Sequence, residues 1–236
     1  MEQVPRWRGN LTVEKSGFTG RESEVRELLK LLEKTPPVTL TGPTGRAEPG
    51  IEPARGYFGG AGVTTAGEPL ALVTVAMAAT WCGEFARAVS LIQEMRRLRD
   101  DRDDRGEHRA RACGDYVLSI AQLGLGRMAE ATAAARRSLD VTWRLRDATG
   151  VALAVDQLAV IAAAQGDGYR AAHLQGAGAR LRAMFGLRGF GSESMSGPRT
   201  VAERTARQLL GDDTYDTAFA EGHRDEPDSA VAYALG

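Results

Sequence analysis

The side chains of this chain whose types suit acid–base, nucleophilic or metal chemistry are few and scattered. His108, His173 and His223 are the three histidines, and none has a second ligand at the short spacing by which a helix or turn closes a metal site. Cys82 and Cys113 are the two cysteines. Each falls on the apolar face of a helical pattern without a local nucleophile signature, so both read as small core residues. No Gly-x-Ser-x-Gly elbow occurs. Asp212 and Asp213 are adjacent, which points their carboxylates apart at a helix start and suits capping better than acid–base work. Asn10-Leu11-Thr12 has the N-glycosylation pattern, but no secretion signal precedes it. These residues assemble no catalytic set, and the expectation is a protein that is not an enzyme and holds no metal.

One glycine-rich stretch raises a different chemistry. Gly17-Phe18-Thr19-Gly20-Arg21-Glu22 leads into Val25, then Leu28, Leu29 and Leu32 on one helical face, which Pro36 and Pro37 stop. Val38-Thr39-Leu40-Thr41 then reads as a short buried strand opening onto Gly42-Pro43-Thr44-Gly45-Arg46. This order resembles the start of the nucleotide-binding domain of STAND ATPases, in particular the large LuxR-like, ATPase-containing transcriptional regulators of actinobacteria. In that family the strand runs into a loop whose backbone amides, with a Lys followed by Thr or Ser, cradle the phosphates of ATP. Here Gly45 is followed by Arg46-Ala47-Glu48-Pro49-Gly50. The Lys charge and the magnesium-binding hydroxyl are therefore missing, and phosphoryl chemistry loses its main electrostatic stabilisers. A lone short strand also makes no stable sheet. Gly20 and Arg21, which the family places near the adenine, and Gly42, Pro43, Thr44 and Gly45 accordingly read as a vestigial nucleotide site. Weak ATP binding there is the alternative.

The elements able to position a site lie further on, in an Ala-rich block from Glu68 to Phe185. Its marks are the turns Cys82-Gly83-Glu84-Phe85, Leu125-Gly126-Arg127-Met128 and Gln165-Gly166-Asp167-Gly168. Gly83, Gly126 and Gly166 stand 43 and 40 residues apart, and five residues after each comes Ala88, Ala131 or Ala171. A helix, a glycine stop and a second helix cannot bury their apolar stripes alone, so such units must stack. On the second helices the stripes run Phe85, Ala88, Ile92, Met95, then Met128, Ala131, Ala135, Ser138, then Ala171, Leu174, Gly178, Leu181, Phe185. On the first helices they run Leu70, Val73, Met77, Thr80, then Ala110, Cys113, Val117, Ile120, then Val151, Val155, Leu158, Ala162. The block resembles a tetratricopeptide-type array. Phe85 and Met128 stand where that family has its second-helix aromatic, and Leu118 and Leu158 where its first helix has Leu. No Trp opens the repeats and no Pro closes them.

The tail from Gly186 reads as a loop to Pro198 and three short helices, Pro198 to Leu210, Asp213 to Glu221 and Pro227 to Leu235. Val201, Thr205 and Leu209 are expected inward on the first of these, Tyr215 and Phe219 on the second, and Val231 and Leu235 on the third. Gly211 and Gly222 serve as stops and Pro227 stands at a helix start. The tail resembles the segment closing the repeat array in the same regulators, where a DNA-binding helix-turn-helix often follows; here the chain stops at Gly236.

The domain expectation is an arm (1–16), a nucleotide-domain remnant (17–46), a linker (47–67), the helical array (68–185) and capping helices (186–236). The fold class is all-α: stacked antiparallel helical hairpins in a right-handed tetratricopeptide-like array, with a small helix–strand remnant at the front. Thirty basic and 31 acidic residues give a net charge of −1, which argues against a nucleic-acid surface driven by bulk charge. No apolar run reaches membrane length, so a cytoplasmic protein with reduced thiols is expected. The functional expectation is a binding or sensor module of a transcriptional regulator. It would take a protein partner or small effector on the array, with no cofactor, no direct nucleic-acid contact and no membrane, and with a homodimer as one arrangement of its exposed first helix. A degenerate gene product without an independent role is the remaining alternative.

Overall fold

In a computed structural model of the chain, residues 68–97, 105–187 and 193–236 are described. Their regular elements are all α-helices: α1 (Glu68–Trp81), α2 (Phe85–Arg97), α3 (Arg105–Gly124), α4 (Met128–Arg144), α5 (Ala148–Ala164), α6 (Gly168–Met184), α7 (Glu193–Leu210), α8 (Asp212–Arg224) and α9 (Pro227–Leu235). The all-helical expectation holds for these residues. The arm, the nucleotide-domain remnant and the linker lie outside them, and with these Gly20, Arg21, Gly42, Pro43, Thr44 and Gly45.

Most of the described helices end where one residue adopts positive φ, because that turn satisfies carbonyls the helix leaves open. After α3, Gly126 has φ 73°; its N–H donates to the Leu123 carbonyl at 2.9 Å and the Arg127 N–H to the Gln122 carbonyl at 2.9 Å. The same pair of bonds closes α1 at Gly83 and Glu84, α4 at Arg146 and Asp147, α5 at Gly166 and Asp167, and α6 at Gly186 and Leu187. Arg146, at φ 57°, is the one side-chain-bearing residue among them. Once it is recognised, the period shortens: α4, α5 and α6 are each 17 residues long, and one helix follows another every 20 residues from Gly126 to Gly186. The residue after the turn then opens the next helix. The Asp147 carboxylate accepts from the Gly150 N–H at 3.1 Å, and that of Asp167 from the Arg170 N–H at 3.0 Å, each an N-cap worth about 1 kcal/mol.

Two layers result. The first helices α1, α3, α5 and α7 are neighbours in that order, and α2, α4 and α6 each contact their own first helix and the next. The last helix, α9, returns against α4, α5 and α6. The apolar interior forms two clusters, one from Leu72 to Ala134 and one from Ala131 to Ala234. They meet in α4, whose Ala134 faces the first while Ala131, Ala135 and Leu139 face the second. Small side chains set this geometry, since α5 is buried nearly all round, with five alanines among its buried residues.

Several expectations need correction. Cys82 is exposed, because it occupies the turn that closes α1 rather than the helix face, and Cys113 is half-buried. Leu70 is also exposed. The stretch expected as a loop to Pro198 instead holds the start of α7 at Glu193, with Pro198 inside the helix. On that helix Val201 and Leu209 are 56% and 51% exposed, while Ala202 and Ala206 are buried. The close approach of α7 to α5 and α6 admits small residues and turns the larger ones out. Gly222 does not stop α8; it is buried within it. Asp212 and Asp213 lie in the first turn of α8, whose N-cap is Gly211 with no side-chain cap bond. Pro227 does stand at the start of α9.

Candidate binding surface

The first-helix layer carries a row of side chains that packing leaves partly open. On α3 these include Cys113, Tyr116 and Ile120; on the adjoining α5 they include Leu153, Asp156 and Val160, each 40 residues further on, and all are half-buried. The three- and four-residue steps place each trio along one helix face. The row is therefore two helices wide, largely apolar, with a phenol and a carboxylate at its middle.

Asp156 is the one charged side chain of α5. Its Oδ1 accepts from Arg182 on α6, and its Oδ2 lies 3.5 Å from Arg199 Nη1 on α7. Burial pushes the carboxyl up from the ordinary Asp value, and the two arginines oppose that shift. Across on α3, the Tyr116 phenol is pushed up by burial and then by the charge of Asp156, so it stays protonated. Cys113 is likewise pushed up by burial, with Asp147 adding and Arg109 opposing, which keeps it a thiol and a poor nucleophile.

A second carboxylate works on another side of the layer. Asp115, next to Tyr116 but turned toward α2 and α4, bonds Arg96 and lies 3.0 Å from Arg137 Nη2. It joins three helices, as does Asp156. Ser138 Oγ of α4 adds a buried bond to the Ala112 carbonyl of α3 at 2.9 Å. Such interhelical polar contacts fix register between hairpins that apolar packing alone leaves free to slide.

His173 and His223 are taken up in structure. Where α8 crosses α6, the backbones approach so closely that a Cβ on Gly176 would stand 2.0 Å from the Phe219 carbonyl oxygen, and one on Gly222 would stand 1.9 Å from that of His173. The crossing thereby draws together the helix segments that carry His173 and His223, although 50 residues separate them. His173 Nε2 lies 2.8 Å from Asp225 Oδ2 and its ring stacks on Tyr233 at 4.0 Å. His223 Nδ1 lies 3.4 Å from the Gly176 carbonyl oxygen. Beside them Arg170 Nη2 donates to the Tyr233 and Ala234 carbonyls at 3.0 and 3.1 Å, satisfying the open end of α9. Among the described residues no group of three or more His, Cys, Asp or Glu could hold a metal ion, and no helix is long and apolar enough to cross a membrane.

The repeat-defining residues are placed as follows. Gly83, Gly126 and Gly166 occupy the positive-φ turns. Ala88, Ala131 and Ala171 are fully buried. Phe85 is half-buried, its ring against Gly124, where a Cβ would meet Cζ at 2.5 Å. Met128 is half-buried at the start of α4. Tyr116, Asp156, Arg182 and Arg199 escaped the sequence reading. The signal for the first two was the appearance of polar residues in otherwise apolar stripes at the 40-residue interval. Compared with family models, with curated proteins and with solved structures, the chain matches none.

Proposed function

We propose that the helical array is a non-catalytic binding module that takes a protein segment on the face formed by α3 and α5, as the sensor portion of a transcriptional regulator. The regulator context rests on the resemblance of the front and tail segments to LuxR-like STAND proteins. The binding role rests on one observation, the row from Cys113 to Val160: half-buried apolar side chains on two adjoining helices, flanking a tyrosine and a carboxylate bonded by two arginines. A surface of that composition combines area for apolar contact with polar groups that set orientation. It stands on a layer that interhelical ion pairs and helix packing hold in register, so little ordering cost would accompany binding.

The test is substitution on that face against substitution on another. Ile120→Glu combined with Val160→Glu is expected to leave helix content unchanged, because both positions are half-buried, and to abolish capture of the partner protein. Ala133→Glu, at an exposed position on α4, is expected to leave capture intact. Equal loss from both, or loss from neither, contradicts the reading.

A further inference from the structure

Among the described residues, the cluster around Asp156 is unbalanced in charge. Arg182 and Arg199 both approach this one carboxylate, so two positive charges face one negative. Arg182 is the better engaged: it bonds Oδ1 directly and its side chain is only 15% exposed. Gly178 makes room for that pair, since a Cβ there would stand 2.9 Å from Asp156 Oδ1. Arg199 is different. Its contact with Oδ2 is long, at 3.5 Å, and its side chain is 33% exposed, so its guanidinium is held less closely than that of Arg182 and reaches solvent in part.

Its backbone is nevertheless held firmly. Gln175 Nε2 donates to the Arg199 carbonyl at 3.1 Å, and Gln175 Oε1 accepts from the Tyr215 hydroxyl at 2.6 Å. Gln175 and Tyr215 are both buried. A guanidinium whose main chain is fixed and which reaches solvent in part is arranged to receive an acceptor with little loss of freedom. The excess is a single positive charge beside a partly buried carboxylate. One further carboxylate would balance it, whereas a doubly charged phosphate would leave a negative excess next to Asp156.

We infer that Arg199, held at the edge of the α5–α7 seam beside Asp156, is a subsite for one carboxylate, an Asp or Glu side chain of the segment bound on the α3–α5 face. This rests on the binding role proposed above and adds the chemistry of one contact in it. Asp156 then acts as the internal counter-ion that keeps Arg182 occupied and limits the site to a single negative charge.

The probe is aspartate blocked at both ends as its N-acetyl, N-methylamide derivative, a monoanion, with inorganic phosphate as the contrasting arm, each titrated into the full chain while the side-chain Nε–Hε signal of Arg199 is followed by NMR. Blocked aspartate is expected to shift that signal saturably and to bind more tightly than phosphate. Arg199→Gln is expected to weaken binding about tenfold, the loss of one charge-assisted contact, at a temperature where circular dichroism shows the variant fully folded. Asp156→Asn, which removes the internal competitor, is expected to tighten it, a result that a purely structural ion pair would not give. No saturable shift, tighter binding of phosphate, or equal binding by Arg199→Gln would overturn the assignment. If partner capture still depends on Ile120 and Val160 while the probe fails to bind, the carboxylate subsite falls and the binding face stands.

Discussion

At the scale of single residues, Arg146 and Tyr215 show how local chemistry sets stability. Arg146 holds a φ of 57°, a conformation that costs a side-chain-bearing residue about 1 kcal/mol or more. Its guanidinium lies 5.4 Å from the centre of the Trp143 ring, which returns part of that cost. Arg146→Gly is expected to raise stability by roughly 0.5 kcal/mol, read as an increase in the urea midpoint; a lower midpoint would show that the cation–ring contact outweighs the strain. Tyr215 donates its hydroxyl proton to Gln175 Oε1, and burial pushes its phenol up to about 12. The folded state therefore favours the protonated form. The stability this contributes is fully present below the unfolded value of about 10 and is lost as pH rises through about 12. Tyr215→Phe is expected to cost about 1 kcal/mol at neutral pH and to remove this part of the alkaline loss, checked by denaturant unfolding across that range. The glycine turns were legible in the sequence because glycine advertises positive φ. Arg146 was not, because nothing along the chain marks a side-chain-bearing residue as the one that takes positive φ between the two helices of a pair.

Among elements, the crossing of α6 and α8 depends on Gly176 and Gly222. Either residue changed to Ala sets a methyl group against a backbone carbonyl that has no flexible end to move aside. Each substitution is expected to destabilise by about 3 kcal/mol and to weaken the hold on α9, whose partner His173 lies at the same crossing. Loss of hydrogen-exchange protection in α8 and α9 ahead of α5 would be the signature; an unchanged protection pattern would contradict the crossing. A buried glycine and a terminal one look alike along the chain, so sequence alone suggests a helix stop at Gly222. It also sets α7 a register off, since hydrophobicity alone favours Val201 and Leu209 inward. The seam selects by size, and size complementarity is a property of two helices at once. The helical pairs themselves were readable, because their apolar spacing and turns are local.

Over the whole molecule, the two apolar clusters divide the array at α4. Because neighbouring units stabilise one another mainly through shared interfaces, damage to one cluster is expected to stay partly local. Ile92→Ala, at a fully buried position in the first cluster, is expected to cost about 2–5 kcal/mol. It should lower exchange protection in α1 to α3 more than in α5 to α8. Uniform loss would mean that α4 transmits the damage throughout and that the array unfolds as one unit. The sequence disclosed the array but not the half-open row on α3 and α5, since which residues are left half-open depends on how those two helices lie beside each other. Tyr116 and Asp156 became notable only when that neighbour relation was known.

The most direct test of the account is a scan with a photoreactive amino acid placed singly at Ile120, Leu153 and Val160 on the first-helix face and at Ala133 on α4, followed by irradiation in cells. The account predicts one discrete adduct of the same partner protein from all three first-helix positions and none from Ala133. Adducts at Ala133 alone, or none at the three first-helix positions, would contradict it.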